Sequence, residues 1–389
     1  MLTLHNATVV TPTEVIPGGA VVVDEGGSIA YAGPQLDAPR ASGERLDLLG
    51  RLLVPGLIDI HTHGGNGVTF GVPGQTGDDL RSYSEWVAQT GVTGFLCSVA
   101  APDADALRTV VGDCAGALDR GLPGAEGLGV HLEGPMLNPQ KRGAFSYSWL
   151  RSLTPNEVDS LLAAGHGWVR QVTIAPELEG AGDAALRFEK AGVMVALGHS
   201  VARFELARDA LRGSWSHVTH TFNAQGGFAH REPGVVGAVL GSDGITAELI
   251  ADGVHVHPGA MRVLLRCLGP ERIVLVTDGM AGAGMPDGEY DLLGERVTVR
   301  GGQARHRDGT LAGSTAALNA CVRNLMNASE ISVGDAVRMA GLNPARAIGR
   351  EGRLGSIAVG KQANLTAVDS LMNVHLTLVR GRVVYNAAV

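Results

Sequence analysis

The chain has 389 residues, of which 45% are hydrophobic and 18% are charged, a composition typical of a folded globular protein. Its 31 basic and 39 acidic residues give a formal net charge of −8, and the absence of a basic cluster interleaved with aromatic residues argues against nucleic acid as a partner. No stretch approaches the roughly 18 apolar residues of a membrane span, and the N-terminus lacks the regions of a signal peptide, so we expect a cytoplasmic protein that binds no membrane.

The first part of the chain, up to Leu53, alternates short β-branched runs with turns rich in glycine and proline, which predicts antiparallel β-structure. The C-terminal segment from Gly355 to Tyr385 has the same pattern. We therefore predict that the two chain ends, residues 1–53 and 351–389, pair into one small β-sandwich domain. This domain would be discontinuous, because residues 54–350 would be inserted into it.

Eight short apolar runs recur between these ends, separated mostly by stretches with the spacing of amphipathic helices. The predicted strands are 56–60, 94–99, 128–132, 169–174, 193–197, 217–219, 246–250 and 273–276, and the clearest helices are 79–89, 104–120, 158–164 and 259–267. A capping box that begins at Thr154 opens the third of these helices. Eight strand–helix repeats favour an α/β protein with a (β/α)8 TIM-like barrel over residues 54–350.

Polar residues follow the predicted strands at their carboxyl ends, whereas we expect the interiors of the strands to be apolar. These polar residues are His61 and His63, then Glu133, His199, His220, the loop with Asp252 and His255, and finally Asp278. Barrel enzymes build their active sites at the carboxyl ends of the strands. We therefore expect these side chains to converge at one mouth of the barrel.

His61 and His63 lie two residues apart, so in a strand both imidazoles point to the same side and could bind one metal ion. Imidazole together with carboxylate is a ligand set suited to Zn²⁺ or Fe²⁺ with one position open for water. Each residue alone could equally be a hydrogen-bonded core group. Jointly, five such groups at successive strand ends would be costly to bury without a ligand or a function.

Asp278 ends the eighth apolar run and precedes Gly279. It could be a turn cap, or it could be a general base beside a metal ion. A metal ion lowers the pKa of bound water towards ~7, and a nearby carboxylate can take its proton and pass it to a leaving nitrogen. The role of Asp278 as a general base therefore predicts amide hydrolysis.

Several motifs together resemble the amidohydrolase superfamily and, within it, the family of N-acetylglucosamine-6-phosphate deacetylases. The resemblance spans essentially the whole chain. Its motifs are PGLID at 55–59, HLEGP at 131–135, GHS at 198–200, TFNA at 221–224, REPG at 231–234, IADGVH at 250–255, TDG at 277–279 and LAGS at 311–314. The HxH pair alone indicates only the superfamily, whereas the combination of the other motifs is specific.

The resemblance implies roles for individual residues and a divalent metal cofactor, zinc or iron, with one or two ions per chain. The implied metal ligands are Glu133, His199 and His220, with His61 and His63 matching a pair that binds a second ion in some members. The implied general base and acid is Asp278, and the implied substrate-binding residues are His255, Asn223, Ala224 and Arg231. The resemblance also implies an amino-sugar phosphate substrate, N-acetylglucosamine 6-phosphate, and a homodimer.

One position departs from the family pattern. After Lys141, Arg142 and Gly143 many members have a histidine that helps to hold the substrate, whereas this chain has Ala144 and Phe145. The departure leaves open which amino-sugar phosphate the chain binds and how selectively it binds phosphate.

Two other kinds of function stay open. The first is another amidohydrolase reaction: deacetylation of a different amino sugar, hydrolysis of a cyclic amide, or deamination. Cyclic-amide hydrolases of the dihydroorotase type use a carboxylated lysine on strand four, but residues 169–177, which form the corresponding run, contain no lysine. Adenosine-type deaminases have two adjacent aspartates where this chain has Asp278 and Gly279, so they also fit poorly. The second is a non-catalytic barrel scaffold, against which the complete ligand set argues.

Overall fold

The computed structural model describes residues 1–40 and 42–387. The strands are β1 Leu2–Val10, β2 Val15–Val23, β3 Ile29–Pro34, β4 Glu44–Asp47, β5 Leu52–Pro55, β6 Leu57–Asp59, β7 Gly64–Gly65, β8 Val68–Thr69, β9 Val92–Val99, β10 Glu126–Glu133, β11 Val169–Ile174, β12 Met194–Leu197, β13 Trp215–Val218, β14 Thr246–Ile250, β15 Ile273–Val276, β16 Gly288–Leu292, β17 Glu295–Arg300, β18 Gln303–Arg305, β19 Leu365–Val368, β20 Val374–Val379 and β21 Arg382–Asn386. The α-helices are α1 Thr76–Ala88, α2 Ala104–Arg120, α3 Pro155–Ala164, α4 Ala181–Lys190, α5 Phe204–Arg212, α6 Gly234–Leu240, α7 Pro258–Leu268, α8 Leu318–Ser329, α9 Val333–Ala340 and α10 Leu342–Ala347. None of the described helices is both long and apolar enough to cross a membrane.

The central element is a sheet of eight parallel strands in the order β6, β9, β10, β11, β12, β13, β14 and β15, which is also their order in the chain. All eight predicted strands are present, and a helix separates each consecutive pair, as parallel strands require a crossover connection. The four predicted helices correspond to α1, α2, α3 and α7. The capping box at Thr154 is formed, with the side chains of Thr154 and Glu157 each bonded to the other's backbone.

The first and last strands of this sheet approach each other at their carboxyl ends. Thr62 forms a parallel bridge with Gly279, the amide of Asp278 donates to the carbonyl of His61 at 2.8 Å, and the Thr277 hydroxyl donates to the carboxylate of Asp59 at 2.6 Å. No ladder joins β6 to β15 within the described strands. An α/β fold with a parallel sheet is therefore established, and complete closure into a barrel stays a prediction.

A second sheet combines both ends of the chain in the order β21, β20, β19, β5, β1, β2 and β3, with β4 paired to β1. Strand β5 is the junction, because it runs parallel to β1 and antiparallel to β19. Fully buried apolar side chains from both ends pack in one cluster, among them Leu4, Val21, Leu53, Leu365 and Leu378. The ends thus pair in one connected sheet; the sandwich layering and the boundaries at 53/54 and 350/351 stay predictions.

The interior of the parallel sheet corrects one expectation, because it is not apolar throughout. Buried polar side chains on its strands include Asp59, His131, Gln171, His217 and Glu248. Hydrogen bonds make their burial possible: His131 contacts Ser98 and Thr173 at 2.8 Å, and Gln171 donates to Glu248 at 2.8 Å. A polar layer therefore lies beneath the carboxyl ends of the strands.

A small antiparallel sheet, β16 to β18, follows the last parallel strand and was not predicted. The alternation of exposed and buried residues along β17, with Val297 and Val299 buried, is the sequence signal that could have identified it. Its apolar face packs with Phe145 and Leu137 in one buried cluster. This insertion supplies one wall of the cavity described next.

Candidate metal and catalytic centre

A cavity of about 320 Å³ opens at the carboxyl ends of the parallel strands. Eight of the ten residues that the sequence identified line it: His63, Glu133, His199, His220, Asn223, Ala224, His255 and Asp278. His61 lies fully buried within contact of Glu133 and Asp278. Arg231 is exposed and does not line the cavity.

Glu133 is the last residue of β10, and its two carboxylate oxygens face different histidine pairs. Oε2 lies 2.8 Å from His63 Nε2 and 3.4 Å from His61 Nε2. Oε1 lies 3.0 Å from His199 Nε2 and 3.2 Å from His220 Nε2. The four histidines thus form two three-residue groups that share Glu133, and the ligand atoms within each group lie within 4.8 Å of one another.

The backbone turns sharply where these side chains enter the cavity. His199, His220 and Asp278 have φ values of 49°, 24° and 49°, in a region that non-glycine residues adopt rarely. Each lies two residues beyond the end of its strand. Such strained conformations are concentrated at functional sites, where the surrounding structure holds them.

The hydrogen bonds of two histidines determine which ring nitrogen of each is left to face the site. His61 Nδ1 lies 2.8 Å from Glu248, and His199 Nδ1 lies 2.7 Å from the carbonyl of Lys141. Since a carboxylate and a carbonyl only accept, both Nδ1 atoms carry a proton, so that in the neutral rings both Nε2 atoms present lone pairs. His61 Nε2 is buried without a hydrogen-bond partner in the described residues.

Both Nε2 atoms face carboxylate oxygens, an arrangement that needs a positive charge between them, either a proton on the imidazole or a metal ion. His61 Nε2 is 3.4 Å from Glu133 and 3.5 Å from Asp278, and His199 Nε2 is 3.0 Å from Glu133. A set of imidazole nitrogens and carboxylate oxygens fits Zn²⁺ or Fe²⁺. The donor set therefore fits a divalent metal ion in either three-residue group.

The electrostatics keep Glu133 ionised. Burial acts to raise the pKa of Glu133, but the charge of His61 and hydrogen bonds from His199 and His220 outweigh it and hold the pKa well below the usual range. Burial acts to lower the pKa of His61, whereas the carboxylates of Glu248, Glu133 and Asp278 raise it above the usual range. The site thus has a charged carboxylate at its centre.

Asp278 follows β15 and lies beside both histidines of the first group. Its Oδ1 is 3.5 Å from His61 Nε2 and 3.5 Å from His63 Nε2, and its side chain is 15% exposed, whereas the two histidine side chains are buried. A carboxylate that borders both a cation site and the cavity can accept a proton from water held there.

His255 is held in a fixed orientation by Asp252. Its Nδ1 lies 2.7 Å from Asp252 Oδ2, and Oδ1 of the same aspartate accepts from the amides of Val254 and His255 at 2.8 Å. Although burial acts to raise the pKa of Asp252, the hydrogen bond and charge of His255 hold that pKa below its usual value. The other edge of the imidazole is left for the cavity.

The remaining cavity wall is largely apolar. Phe145 is 4% exposed and meets the His199 ring edge-on, with ring centroids 5.4 Å apart. Leu292, Leu293 and Leu311 add to the same lining, and Lys141 is the lining residue with a full positive charge. Phe145 therefore packs against the His199 ring at the position where the resemblance led us to expect a histidine.

Comparison with known proteins gives a consistent result over nearly the whole chain. The model of the amidohydrolase family matches residues 52–384. The N-acetylgalactosamine-6-phosphate deacetylase of Escherichia coli O157:H7 is 41% identical over 85% of this chain and 87% of that relative. The N-acetylglucosamine-6-phosphate deacetylase of Vibrio furnissii is 38% identical over 95% and 91%. A solved structure of N-acetyl-D-glucosamine-6-phosphate deacetylase from Mycobacterium smegmatis superposes with a TM-score of 0.91 at 34% identity, covering 99% of this chain and 100% of that one.

Proposed function

This chain belongs to the amidohydrolase family, and we propose that it hydrolyses the acetamide of N-acetylglucosamine 6-phosphate to acetate and glucosamine 6-phosphate. The observation that carries the proposal is the shared Glu133, which joins two groups that could hold a metal ion beside Asp278 in one cavity. Curated relatives at 34–41% identity over most of the chain are deacetylases of amino-sugar phosphates, hydrolases that act on a linear amide.

We propose a divalent metal cofactor, one or two ions per chain, with zinc or iron as the metal. Glu133, His199 and His220 would hold one ion, and His61 and His63 would hold a second together with Glu133. A bound divalent ion supplies Lewis acidity, which polarises an amide carbonyl and makes water a stronger nucleophile at neutral pH.

The residues around the cavity would then carry the proton transfers. Asp278 takes a proton from water as the new carbon–oxygen bond forms, and it returns that proton to the amide nitrogen as the carbon–nitrogen bond breaks. His255 orients the acetamide carbonyl. The hydrogen bond between its Nδ1 and Asp252 holds the ring for that role and leaves Nε2 for the substrate.

The sugar phosphate would be bound at the rim. Asn223 and Ala224 follow β13 and border the cavity, which supports a role for this loop in holding the sugar. We retain Arg231 as a phosphate ligand, since a guanidinium fork matches phosphate oxygens. Lys141, which lines the cavity, offers a second cation for the same group.

We also propose that the parallel sheet closes as a (β/α)8 barrel formed by residues 54–350. The bridge between Thr62 and Gly279 and the contact of Asp59 with Thr277 support this closure. The homodimer and the cytoplasmic location that the sequence suggested stay predictions.

A second substrate is favoured by a specific observation. The relative at 41% identity is named for the galactosamine epimer, N-acetylgalactosamine 6-phosphate, and Phe145 occupies the position of an expected substrate-binding histidine. An apolar side chain there offers no hydrogen bond by which one hydroxyl configuration could be preferred over the other.

The deciding experiment is the rate of acetate release from four compounds: N-acetylglucosamine and N-acetylgalactosamine, each with and without a 6-phosphate. The proposal predicts release from the phosphorylated glucosamine compound, and loss of release after chelation with recovery when zinc or iron is restored. Faster release from the phosphorylated galactosamine compound would move the assignment to that epimer. If no compound releases acetate, the proposal is wrong, and hydrolysis of a cyclic amide, deamination or a non-catalytic barrel becomes the better interpretation.

A further inference from the structure

We propose that Glu248 is a positioning residue that fixes the His61 imidazole for cation binding, an inference that rests on the proposed metal-dependent function. Glu248 is the central residue of β14, lies at 0% exposure beneath the cavity, and is absent from the cavity lining. It was not among the residues that the sequence identified.

Both oxygens of Glu248 are fully used as acceptors. Oε2 lies 2.8 Å from His61 Nδ1 and accepts from the His220 amide at 2.9 Å. Oε1 accepts from Gln171 Nε2 at 2.8 Å and lies 3.2 Å from His217 Nε2. No lysine or arginine pairs with Glu248 among the described residues. A buried carboxylate without a permanent cation is expensive, so its presence calls for a compensating charge nearby.

The contact with His61 determines which ring nitrogen is free. The carboxylate accepts a hydrogen bond from Nδ1–H, so that in the neutral ring the Nε2 lone pair is directed towards Glu133 and Asp278 at 3.4 and 3.5 Å. Histidines that bind metal ions commonly donate their other N–H to a carboxylate or carbonyl, which fixes the ring and strengthens the ligand. Glu248 satisfies that requirement for His61, as the Lys141 carbonyl does for His199.

Glu248 also connects the two three-residue groups. One oxygen contacts the side chain of His61 in the first group and the backbone amide of His220 in the second. The His220 backbone has a φ of 24°, so this hydrogen bond holds a conformation that residues other than glycine adopt rarely. We therefore expect loss of Glu248 to weaken the His61 group most and the His220 group to a smaller extent.

The two informative substitutions separate charge from hydrogen bonding. In Glu248→Gln the side-chain oxygen can still accept from His61. The new amide can donate to Gln171 once the Gln171 amide turns over, because its oxygen is now buried without a partner and its nitrogen faces Glu248. This variant therefore removes mainly the negative charge. Glu248→Leu removes both the charge and the acceptor, so that His61 is free to place its proton on Nε2 and lose its lone pair.

The test is zinc binding to metal-free full-length protein, measured by competition with a chromophoric chelator and by metal content after dialysis. We expect Glu248→Leu to lower the affinity for the more weakly bound zinc ion by 10- to 100-fold, the usual scale when a histidine ligand loses its hydrogen-bond acceptor. Glu248→Gln should lower the same affinity by about 10-fold. The matched control is His217→Gln, which disturbs the same buried network but leaves the Glu248–His61 contact, and it should bind zinc within about twofold of the parent.

The outcomes are separable. If the parent protein binds no zinc, the same titration is made with Fe²⁺, and binding of neither ion means that the proposed metal-dependent function fails. If the parent binds zinc and both Glu248 variants bind it with parental affinity and stoichiometry, only the role of Glu248 is wrong. If His217→Gln weakens binding as much as the Glu248 variants, the network acts as general structural support and the positioning role is likewise overturned. If Glu248→Leu does not fold, as judged by circular dichroism, Glu248→Gln decides.

Discussion

Asp278 Oδ1 lies 3.5 Å from His61 Nε2, although the two residues follow the last and the first strands of the parallel sheet. The approach of these two strands therefore places the Asp278 carboxylate, which is partly open to the cavity, against the His61 ring, which is fully buried. Access to the cavity suits Asp278 to proton transfer with water, whereas full burial suits His61 to metal binding. The proton-transfer role and the metal-binding role of the site can each be tested by one substitution.

Asp278→Asn keeps the volume of the side chain but removes its ability to accept a proton from water. We expect kcat to fall by at least ~100-fold with little change in KM, the lower scale for loss of a general acid–base group. Steady-state kinetics with metal content measured on the same sample provide the check. Retention of more than about a tenth of the parental kcat, a difference of only ~1.4 kcal/mol, would place the base elsewhere.

Glu133→Gln should lower both metal content and activity, because Glu133 contributes an oxygen to each three-residue group. The measurement is metal per chain after dialysis against a metal buffer. Glu126→Gln is the matched control, since Glu126 stands at the opposite end of β10 and pairs with Arg353 and Arg380 on the surface. Equal metal content in Glu133→Gln and the parent would refute the ligand assignment.

Arg231→Ala and Lys141→Ala distinguish two candidates for phosphate binding. Loss of a charge-assisted contact is worth ~1.5–3 kcal/mol, or roughly 10- to 100-fold in kcat/KM. We expect that penalty for the 6-phosphorylated substrate and almost none for the unphosphorylated sugar. If Arg231→Ala affects both substrates equally, Arg231 supports its loop; if only Lys141→Ala is selective, the phosphate is bound inside the cavity rather than by the exposed arginine.

Thr154→Ala should lower the free energy of unfolding by about 1 kcal/mol, because it removes the hydroxyl that caps α3 and breaks the capping box with Glu157. Denaturant unfolding measures this change. Asn156→Ala is the control: it lies exposed in the same first turn and should alter the stability by less than about 0.5 kcal/mol. Equal effects of the two changes would mean that the capping contact contributes nothing measurable.

The sequence was most informative where polar residues end apolar runs. His63, Glu133, His199 and His220 could be identified as candidate site residues because each ends or follows an apolar run, and all four line the cavity. Glu248 escaped notice because it lies inside a run that is otherwise apolar, and a single chain does not reveal whether an inward-facing carboxylate has partners. Its four hydrogen bonds come from residues that are distant in sequence, so only the assembled sheet shows them.

Loop positions were the least predictable part of the site. Arg231 was identified from its motif, but the conformation of a loop depends on contacts that no periodic pattern encodes, and the side chain lies exposed outside the cavity. The antiparallel insertion containing Leu292 and Leu293 was also missed, although it forms part of the cavity wall. Its alternation was present in the sequence, but its position over the site depends on packing against Phe145.

The place of β5 between β1 and β19 has a consequence for the order of events during synthesis. Leu365 pairs with Pro55 across about 300 residues of intervening chain, so β5 gains its second neighbour only after every parallel strand has been translated. Closing so long a loop delays the pairing, and an unpaired edge is open to association with other chains in the meantime. A growing polypeptide stalled before residue 365 would therefore expose β5, whereas release of the finished chain would cover it.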